Sequence, residues 1–198
     1  MSAADIAARK TALRLQARER RAMAYRATGA QISAKLREFL PALNLRAKAL
    51  VAGYCARGSE LDPLPLLKAL HDGGHKLALP AATAKNEPLV FRAWKPGDPL
   101  VPDAVGASAP FAGAPEVAPD VLLVPLLAFD GRGRRLGTGA GFYDRTLARL
   151  RANNPDLLAL GIAFAAQQEH DLPAEPHDAD LDAILTERGV LWFKRREA

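Results

Sequence analysis

Short apolar runs alternate along the chain with longer stretches whose apolar residues recur at helical spacing. The runs predict strands over residues 48–54, 76–79, 89–94, 121–124, 157–163, 183–186 and 190–193. Helices are predicted over residues 3–26, 31–40 and 140–152, and between Asp62-Pro63 and Gly73-Gly74. This strand–helix–strand order is typical of an α/β fold. We therefore expect a mainly parallel sheet flanked by helices, in a Rossmann-like three-layer architecture.

Glycine and proline set the expected boundaries between these elements. The first helix should end near Gly29, and Pro41 should stop the second. Residues 95–120 are rich in proline, glycine and alanine and show little periodicity. We expect this segment to be a long surface flap rather than a linker, because nothing else divides residues 1–198 into more than one domain.

The net charge of +5 lies in the first 26 residues, because acidic and basic side chains balance over the rest of the chain. Such a basic helix can bind nucleic acid or an acidic membrane, present Lys10 and Arg14 to an anionic ligand, or simply face solvent. No apolar run approaches the roughly 20 residues of a membrane span. The single cysteine, Cys55, excludes an internal disulfide and fits a reducing compartment, so we expect a cytoplasmic protein.

A glycine-rich loop follows the strand predicted over 121–124. Glycines at positions 131, 133, 137, 139 and 141 are interleaved with arginines at 132, 134 and 135, and a predicted helix follows. Glycine lets the backbone approach a ligand closely, a helix N-terminus adds N–H donors, and arginine adds permanent charge. The loop therefore predicts a polyanionic ligand. Its spacing matches neither a G-x-G-x-x-G dinucleotide motif nor a Walker A loop.

A longer motif around this loop resembles that of a known family. The run Arg135-Leu136-Gly137-x-Gly139-x-Gly141-Phe142-Tyr143-Asp144-Arg145 closely resembles the signature of 5-formyltetrahydrofolate cyclo-ligases. Weaker matches follow in order over nearly the whole chain: Lys10…Arg14, Tyr54, Glu60-Leu61-Asp62, Leu79-Pro80, Phe164…Gln167, Leu172-Pro173, His177-Asp178 and Leu185-Thr186-Glu187. Two positions depart from the usual pattern. Phe142 replaces the first tyrosine of a Tyr-Tyr pair, and Ala109 stands where glutamate is common.

The resemblance implies an ATP- and Mg²⁺-dependent enzyme that converts 5-formyltetrahydrofolate to 5,10-methenyltetrahydrofolate. In this reaction the γ-phosphoryl group of ATP joins the formyl oxygen. The second folate nitrogen then attacks the activated carbon, and phosphate leaves as the ring closes. Phosphoryl transfer of this kind depends on alignment, charge neutralisation and a magnesium ion. We expect a monomer whose partners are ATP and 5-formyltetrahydrofolate, with no nucleic acid and no membrane.

The resemblance also implies a role for each matching residue. The ATP-binding residues would be Lys10, Arg14, Arg135, Leu136, Gly137, Thr138, Gly139, Ala140, Gly141, Phe142 and Tyr143. The folate-binding residues would be Arg14, Cys55, Glu60, Thr138, Gly139, Ala140, Gly141 and Phe142. Lys10, Arg135 and Tyr143 would act in catalysis, and Asp144 and Asp182 would hold the magnesium ion.

Each assignment has a structural alternative that the sequence leaves open. Asp144 lies early in a predicted helix, so it could simply interact favourably with the helix dipole. Glu60 could merely start a turn. Cysteine is more often a small core residue than a ligand contact, so Cys55 could simply belong to the core. Asp182 lies among other aspartates, so its role as a metal ligand is open. His177 lacks the spacing of a zinc ligand and is interpreted as structural.

Two other functions remain possible from the sequence. One is a different ATP- or phosphate-binding enzyme on the same scaffold. The other is an RNA-binding or regulatory module that uses the basic first helix. The low aromatic content disfavours the second, because proteins that bind single strands usually stack bases on aromatic rings.

Overall fold

Eleven strands and three α-helices make up residues 2–193, the part of the chain that a computed structural model describes. The strands are β1 (Leu50–Ala52), β2 (Lys76–Ala81), β3 (Val90–Ala93), β4 (Val101–Pro102), β5 (Ser108–Ala109), β6 (Val121–Pro125), β7 (Ala128–Phe129), β8 (Arg135–Leu136), β9 (Leu158–Ile162), β10 (Ala183–Thr186) and β11 (Gly189–Trp192). Seven of them form a central sheet in the order β11-β10-β9-β6-β1-β2-β3. The pairs β4–β5 and β7–β8 form separate small sheets.

The central sheet is mainly parallel, which confirms the predicted fold class. Strands β2, β1, β6, β9 and β10 run parallel to their neighbours, and only the edge strands β3 and β11 pair in antiparallel fashion. The sheet extends from β1 through β2 on one side and through β6 on the other. The chain therefore reverses its direction of winding between β1 and β6, and in such sheets ligands bind beyond the carboxyl ends of the strands at that point.

The helices are α1 (Ala3–Lys35), α2 (Leu64–Asp72) and α3 (Phe142–Asn153), with 3₁₀ turns over Leu36–Leu43 and Ala165–Gln167. The predicted break near Gly29 is wrong, because α1 continues through this glycine. The Tyr25 ring packs so closely over Gly29 that an added Cβ would lie 2.7 Å from it. The predicted stop at Pro41 is also wrong. The 3₁₀ helix contains this proline and ends at Asn44, which adopts a left-handed conformation and donates its N–H to the Pro41 carbonyl.

Alternating residues of the strands bury the two faces of the sheet against different helices. On one face, Leu123 joins a core with Leu66 and Leu70 of α2. On the other face, Leu122 joins a core with Leu147 of α3. Complete burial of one such leucine contributes roughly 1.5–3 kcal/mol. The sheet thus lies between two helical layers, as the alternation of short apolar runs and amphipathic stretches predicts.

The segment over residues 95–120 contains more structure than the sequence predicted. It includes the short hairpin β4–β5, whose turn is held by Asp103. The Asp103 carboxylate accepts N–H bonds from Val105 and Ala107, at 3.0 and 2.8 Å, and from Ala82 beyond β2, at 2.8 Å. The flap is therefore tied to the carboxyl end of β2. Strands of two residues show no periodicity, so the sequence pattern could not reveal them.

Candidate active site

A cavity of about 1160 Å³ opens at the carboxyl edge of the parallel strands. Its wall includes Tyr54 just beyond β1, Ala82 just beyond β2 and Leu126 just beyond β6. The cavity thus lies at the reversal point between β1 and β6, where the topology predicts a ligand. Its volume lies just above the roughly 300–1,000 Å³ of ordinary small-molecule pockets.

Three separate segments bring nearly all of the predicted site residues to this cavity. The predicted residues in its lining are Lys10, Arg14, Cys55, Glu60, Arg135, Leu136, Gly137, Thr138, Gly139, Ala140, Gly141, Phe142, Tyr143 and Asp144. They come from α1, from the loop after β1, and from the continuous run that leads from β8 into the first turn of α3. Only Asp182 among the predicted residues is absent from this lining.

The glycine-rich run divides into two parts with different roles. Its first part is the β7–β8 turn, where Asp130 accepts N–H bonds from Arg132 and Arg134, at 2.9 and 3.1 Å. In that turn Gly133 has φ +85°, and a Cβ there would lie 2.8 Å from the Leu181 carbonyl oxygen. The second part, residues 137–141, lines the cavity. The prediction that all five glycines belong to one ligand cradle is therefore too broad.

The second part of the run leads directly into α3. Gly141 is the N-cap residue of this twelve-residue helix, with φ +69°, and no side-chain hydrogen bond caps this end. Arg14 donates from Nε to the Gly137 carbonyl at 3.1 Å, and Arg145 donates from Nη2 to the Ala140 carbonyl at 2.8 Å. These bonds fix the loop against α1 and α3. A helix N-terminus at the cavity wall favours the binding of an anion.

Lys10 lies buried at the cavity wall between two carboxylates. Its ammonium nitrogen is 2.7 Å from Glu175 Oε2, and 2.8 and 2.6 Å from the two Asp178 oxygens. Burial by itself lowers the pKa of Lys10, but its hydrogen bonds to Asp178 and Glu175 outweigh burial and raise the pKa. Lys10 is therefore a permanent cation in the cavity.

Carboxylates and a histidine beside Lys10 could hold a metal ion. Ligand atoms of Glu175, His177 and Asp178 lie within 4.8 Å of one another. Asp144 is connected to this group, because its Oδ1 accepts an N–H bond of 3.2 Å from Ala179. Carboxylate oxygens are the hard ligands that Mg²⁺ prefers, so these residues fit that ion. His177 was interpreted as structural from the sequence, and the fold places it within this group.

Arg135 is the second buried cation of the cavity. It donates to Asp144 Oδ1 at 2.7 Å and to the Ala179 carbonyl oxygen. Its side chain is only 4% exposed, so the charge is fixed in position. Arg135 and Asp144 thus lie together, with Ala179 bonded to both.

Asp182 has a different environment from the one predicted. Its carboxylate accepts bonds from Arg151 at 3.0 Å and from the backbone N–H of Ala159 at 2.8 Å. It directly precedes β10, so it lies at the amino edge of the parallel strands, opposite the cavity. Asp182 therefore lies apart from the cavity that gathers the other predicted residues, whereas Asp178 lines that cavity. Several aspartates stand close together in this part of the sequence, and only the fold distinguishes them.

A second charged group lies around Glu60. Burial raises the pKa of Glu60, whereas the backbone N–H of Arg57 and the charge of Arg21 oppose the rise. Burial also raises the pKa of Tyr54, whose hydroxyl donates to the Leu61 carbonyl at 2.6 Å. Tyr143 interacts electrostatically with both Glu60 and Arg135, and burial raises its pKa as well. It therefore stands between the two charged groups as a neutral phenol.

The thiol of Cys55 stays neutral in this cavity. Burial raises its pKa, and the charge of Asp62 raises it further. Cys55 is half-buried and packs against the core, so it can contact a ligand as a small apolar group. It has the environment of a contact residue rather than of a nucleophile.

Sequence reasoning missed several residues of the cavity wall. Arg21 was counted only as part of a basic helix, yet it is buried beside Glu60. Glu175 had no signal in the sequence. Asp178 was part of the matched His177-Asp178 pair, which could have identified it. Asp103 sits in the flap and also lines the cavity.

Taken together, the fold and the cavity define an α/β protein whose sheet carries, at its reversal point, a cavity with buried cations and a helix N-terminus, features that suit a polyanion. Comparisons with known proteins identify the family within this class. The model of the 5-formyltetrahydrofolate cyclo-ligase family matches residues 6–187, and the chain belongs to this family. The predicted resemblance is thereby confirmed.

Individual relatives agree with this membership. A 5-formyltetrahydrofolate cyclo-ligase of Mycolicibacterium smegmatis is 36% identical over 172 residues, which cover 80% of this chain and 84% of the relative. The Escherichia coli K12 protein of that name is 36% identical over 143 residues, or 69% of this chain and 76% of the relative. The structure of Aquifex aeolicus 5,10-methenyltetrahydrofolate synthetase superposes with a TM-score of 0.78 at 28% identity, covering 96% of this chain and 95% of that protein.

Proposed function

We propose that this chain converts 5-formyltetrahydrofolate to 5,10-methenyltetrahydrofolate, with ATP as co-substrate and Mg²⁺ as the metal, and that it acts as one domain. Its family is that of the 5-formyltetrahydrofolate cyclo-ligases. The observation that carries the proposal is the convergence of predicted site residues from three separate segments on one large cavity. Two groups of charged residues line that cavity, so it offers both a phosphate site and a folate site.

The first charged group suits the triphosphate of ATP. Lys10 and Arg135 would neutralise charge on the phosphoryl oxygens, and the loop over 137–141 with the N-terminus of α3 would bind the remaining oxygens. Asp144 and Asp178, with Glu175, would hold Mg²⁺. When bound, this ion would supply charge neutralisation to the phosphates during transfer.

The second charged group suits the folate. The aminopyrimidinone ring of the tetrahydropterin is flat and carries N–H donors at its edge, whereas its second ring is reduced. Tyr54 and Phe142 offer rings for packing, and Glu60 offers a buried carboxylate that can accept the N–H bonds. Tyr143 lies between this group and Arg135, so the formyl oxygen would face the transferring phosphoryl group there.

These positions allow the two chemical steps to follow each other in one cavity. In the first step, the formyl oxygen forms a bond to the γ-phosphorus while the bond from that phosphorus to ADP breaks. In the second step, the second folate nitrogen forms a C–N bond and loses its proton, and the C–O bond breaks with release of phosphate, which can take up that proton. The chain aligns the two ligands and holds the cations in place, which is where catalysis of phosphoryl transfer mostly originates.

We propose that ATP and 5-formyltetrahydrofolate are the partners of this chain, and that it acts as a cytoplasmic monomer without nucleic acid. Lys10, Arg14 and Arg21 all line the cavity, so much of the basic character of α1 serves the site. Across residues 2–193, no helix has the length and apolar character needed to cross a bilayer.

The reaction itself is the test of this proposal. The product is an extended conjugated cation that absorbs in the near ultraviolet, where the substrate does not. Purified protein with 5-formyltetrahydrofolate, Mg²⁺ and ATP should develop this absorbance and release one phosphate per product. Omission of ATP, or its replacement by a non-hydrolysable analogue, should abolish both signals. Loss of ATP without the new absorbance would indicate an unrelated ATPase instead.

A further inference from the structure

We infer that Arg21 of α1 is a positioning residue that holds the Glu60 carboxylate in place as the acceptor for the pterin ring. This inference rests on the proposed function, because it concerns the folate part of the same cavity. Arg21 matches no element of the family motif quoted above, and its role emerges only from where α1 places it.

The contacts of Arg21 fix its guanidinium beside Glu60. Nε donates to the Ser59 hydroxyl at 3.2 Å, and Nη1 donates to the Leu126 carbonyl at 3.2 Å. Nη1 also lies 3.6 Å from Glu60 Oε1, and both side chains are close to nine-tenths buried. Arg21 therefore links α1, the loop after β1 and the end of β6 around a single carboxylate.

The two oxygens of Glu60 have different surroundings. Oε2 accepts the backbone N–H of Arg57 at 2.9 Å, which satisfies one side of the carboxylate. Oε1 lies near Arg21, but at 3.6 Å it is beyond ordinary hydrogen-bond distance. It thus retains acceptor capacity towards a ligand N–H while a fixed positive charge stands beside it.

The charge of Arg21 keeps Glu60 in its acceptor form. The charged and titratable groups that act on Glu60 are Arg21 from α1, Arg57 from its own loop, Tyr54 after β1 and Tyr143 from α3. The two tyrosines are buried and neutral, so the two arginines supply the positive charge. Burial pushes the pKa of Glu60 upwards, and a guanidinium nearby opposes that rise. A protonated Glu60 would lose acceptor capacity towards the pterin.

The chain offers a matched set of variants to test this role. Arg21→Gln removes the charge, and Arg21→Lys keeps the charge but loses the fork that reaches both Ser59 and Leu126. Glu60→Gln removes the group on which Arg21 acts. Arg20→Gln is the control, because Arg20 is the neighbouring residue and pairs with Glu169 outside the cavity lining.

The measurements are the dissociation constants of 5-formyltetrahydrofolate and of ATP, by titration calorimetry between pH 6 and pH 9. At neutral pH, Arg21→Gln should weaken folate binding by about tenfold or more and change ATP binding by less than about twofold. The pH at which folate binding is half lost should rise by about one unit. Arg21→Lys should bind folate more weakly but lose half of its folate binding at the same pH as the original chain. Arg20→Gln should change neither the folate affinity nor this pH.

A double-mutant cycle separates positioning from general structure. If Arg21 acts through Glu60, then adding Arg21→Gln to Glu60→Gln should weaken folate binding by less than about a further twofold. The inference is overturned if the losses of folate affinity from the two single variants add independently in the double variant. It is equally overturned if Arg21→Gln weakens ATP binding as much as folate binding, or if its pH midpoint for folate binding is unchanged. If Arg21→Gln does not fold, the same cycle is measured with Arg21→Lys in its place. The loss of folate affinity caused by Arg21→Lys should then largely disappear in the Glu60→Gln background.

The outcome for the reaction distinguishes this inference from the proposed function. If the original chain forms no methenyl product, the proposed function fails and the inference fails with it. If the original chain forms the product and Arg21→Gln binds folate normally, only the role of Arg21 is refuted.

Discussion

Replacement of Lys10 by methionine tests the energetics of the cavity most directly. Lys10 Nζ lies within 2.8 Å of three carboxylate oxygens of Glu175 and Asp178. Methionine has a similar length and no charge, so Lys10→Met leaves two carboxylates facing each other with no cation between them. We expect the folded protein to lose stability for this reason, rather than through lost packing.

The size of this loss follows from the exposure of the three side chains. The lysine side chain is 7% exposed, but the carboxylates are 23% and 19% exposed, so water can partly solvate them. Breaking a fully buried pair costs about 3–5 kcal/mol, and an exposed pair contributes about 0–1 kcal/mol. An intermediate loss of about 2 kcal/mol should lower the Tm by roughly 4–8 °C in a domain of this size.

The pH dependence of this loss has a definite sign. The pKa of Lys10 is raised in the folded protein. The stability that Lys10 contributes is therefore fully present below about pH 10.4, its unfolded value, and is lost as the pH rises through the folded value. Lys10→Met lacks this contribution, so the stability difference between the two proteins should shrink as the pH rises through the folded pKa of Lys10.

The assay is urea and thermal unfolding of both proteins by circular dichroism, with and without Mg²⁺. Added Mg²⁺ should stabilise Lys10→Met more than the original chain, because the ion no longer competes with the ammonium for Glu175 and Asp178. Arg9→Met serves as the control, since Arg9 makes only an exposed ion pair 3.8 Å long with Asp171. Equal stability of Lys10→Met and the original chain, at all pH values, would refute this account of the cluster.

Two further predictions concern the phosphate site. Arg135→Ala should lower kcat/KM for ATP, with a loss of about 2–4 kcal/mol of transition-state stabilisation, because a fixed buried cation is removed. Unchanged steady-state kinetics at limiting ATP would contradict this role of Arg135. Asp144→Asn should raise the Mg²⁺ concentration needed for half-maximal rate, because an amide oxygen is a weaker ligand for this ion. An unchanged Mg²⁺ titration would remove Asp144 from the metal site.

Much of this protein could be predicted from local sequence. Short apolar runs separated by amphipathic stretches determine an α/β sheet, because the two periodicities require strands and helices in alternation. The helix start was readable to within one residue: Asp62 accepts the Leu64 N–H at 2.9 Å, but Pro63 rather than Asp62 is the N-cap residue of α2. The motif from Arg135 to Arg145 also identified the family, since its glycines and charges lie close together in the chain.

Other features were decided only when distant segments came together. Asp178 and Asp182 look alike in sequence, but the direction of β10 places Asp182 at the edge of the sheet opposite the cavity. Arg21 looks like any charge on a basic helix, and only the fold places it beside Glu60, with its Nη1 bonded to the Leu126 carbonyl beyond β6. Gly133 belongs to the same glycine-rich run as Gly139, yet it supports a turn rather than the cavity. Local pattern fixes which backbone forms, whereas the electrostatic role of a side chain depends on the neighbours that the fold brings to it.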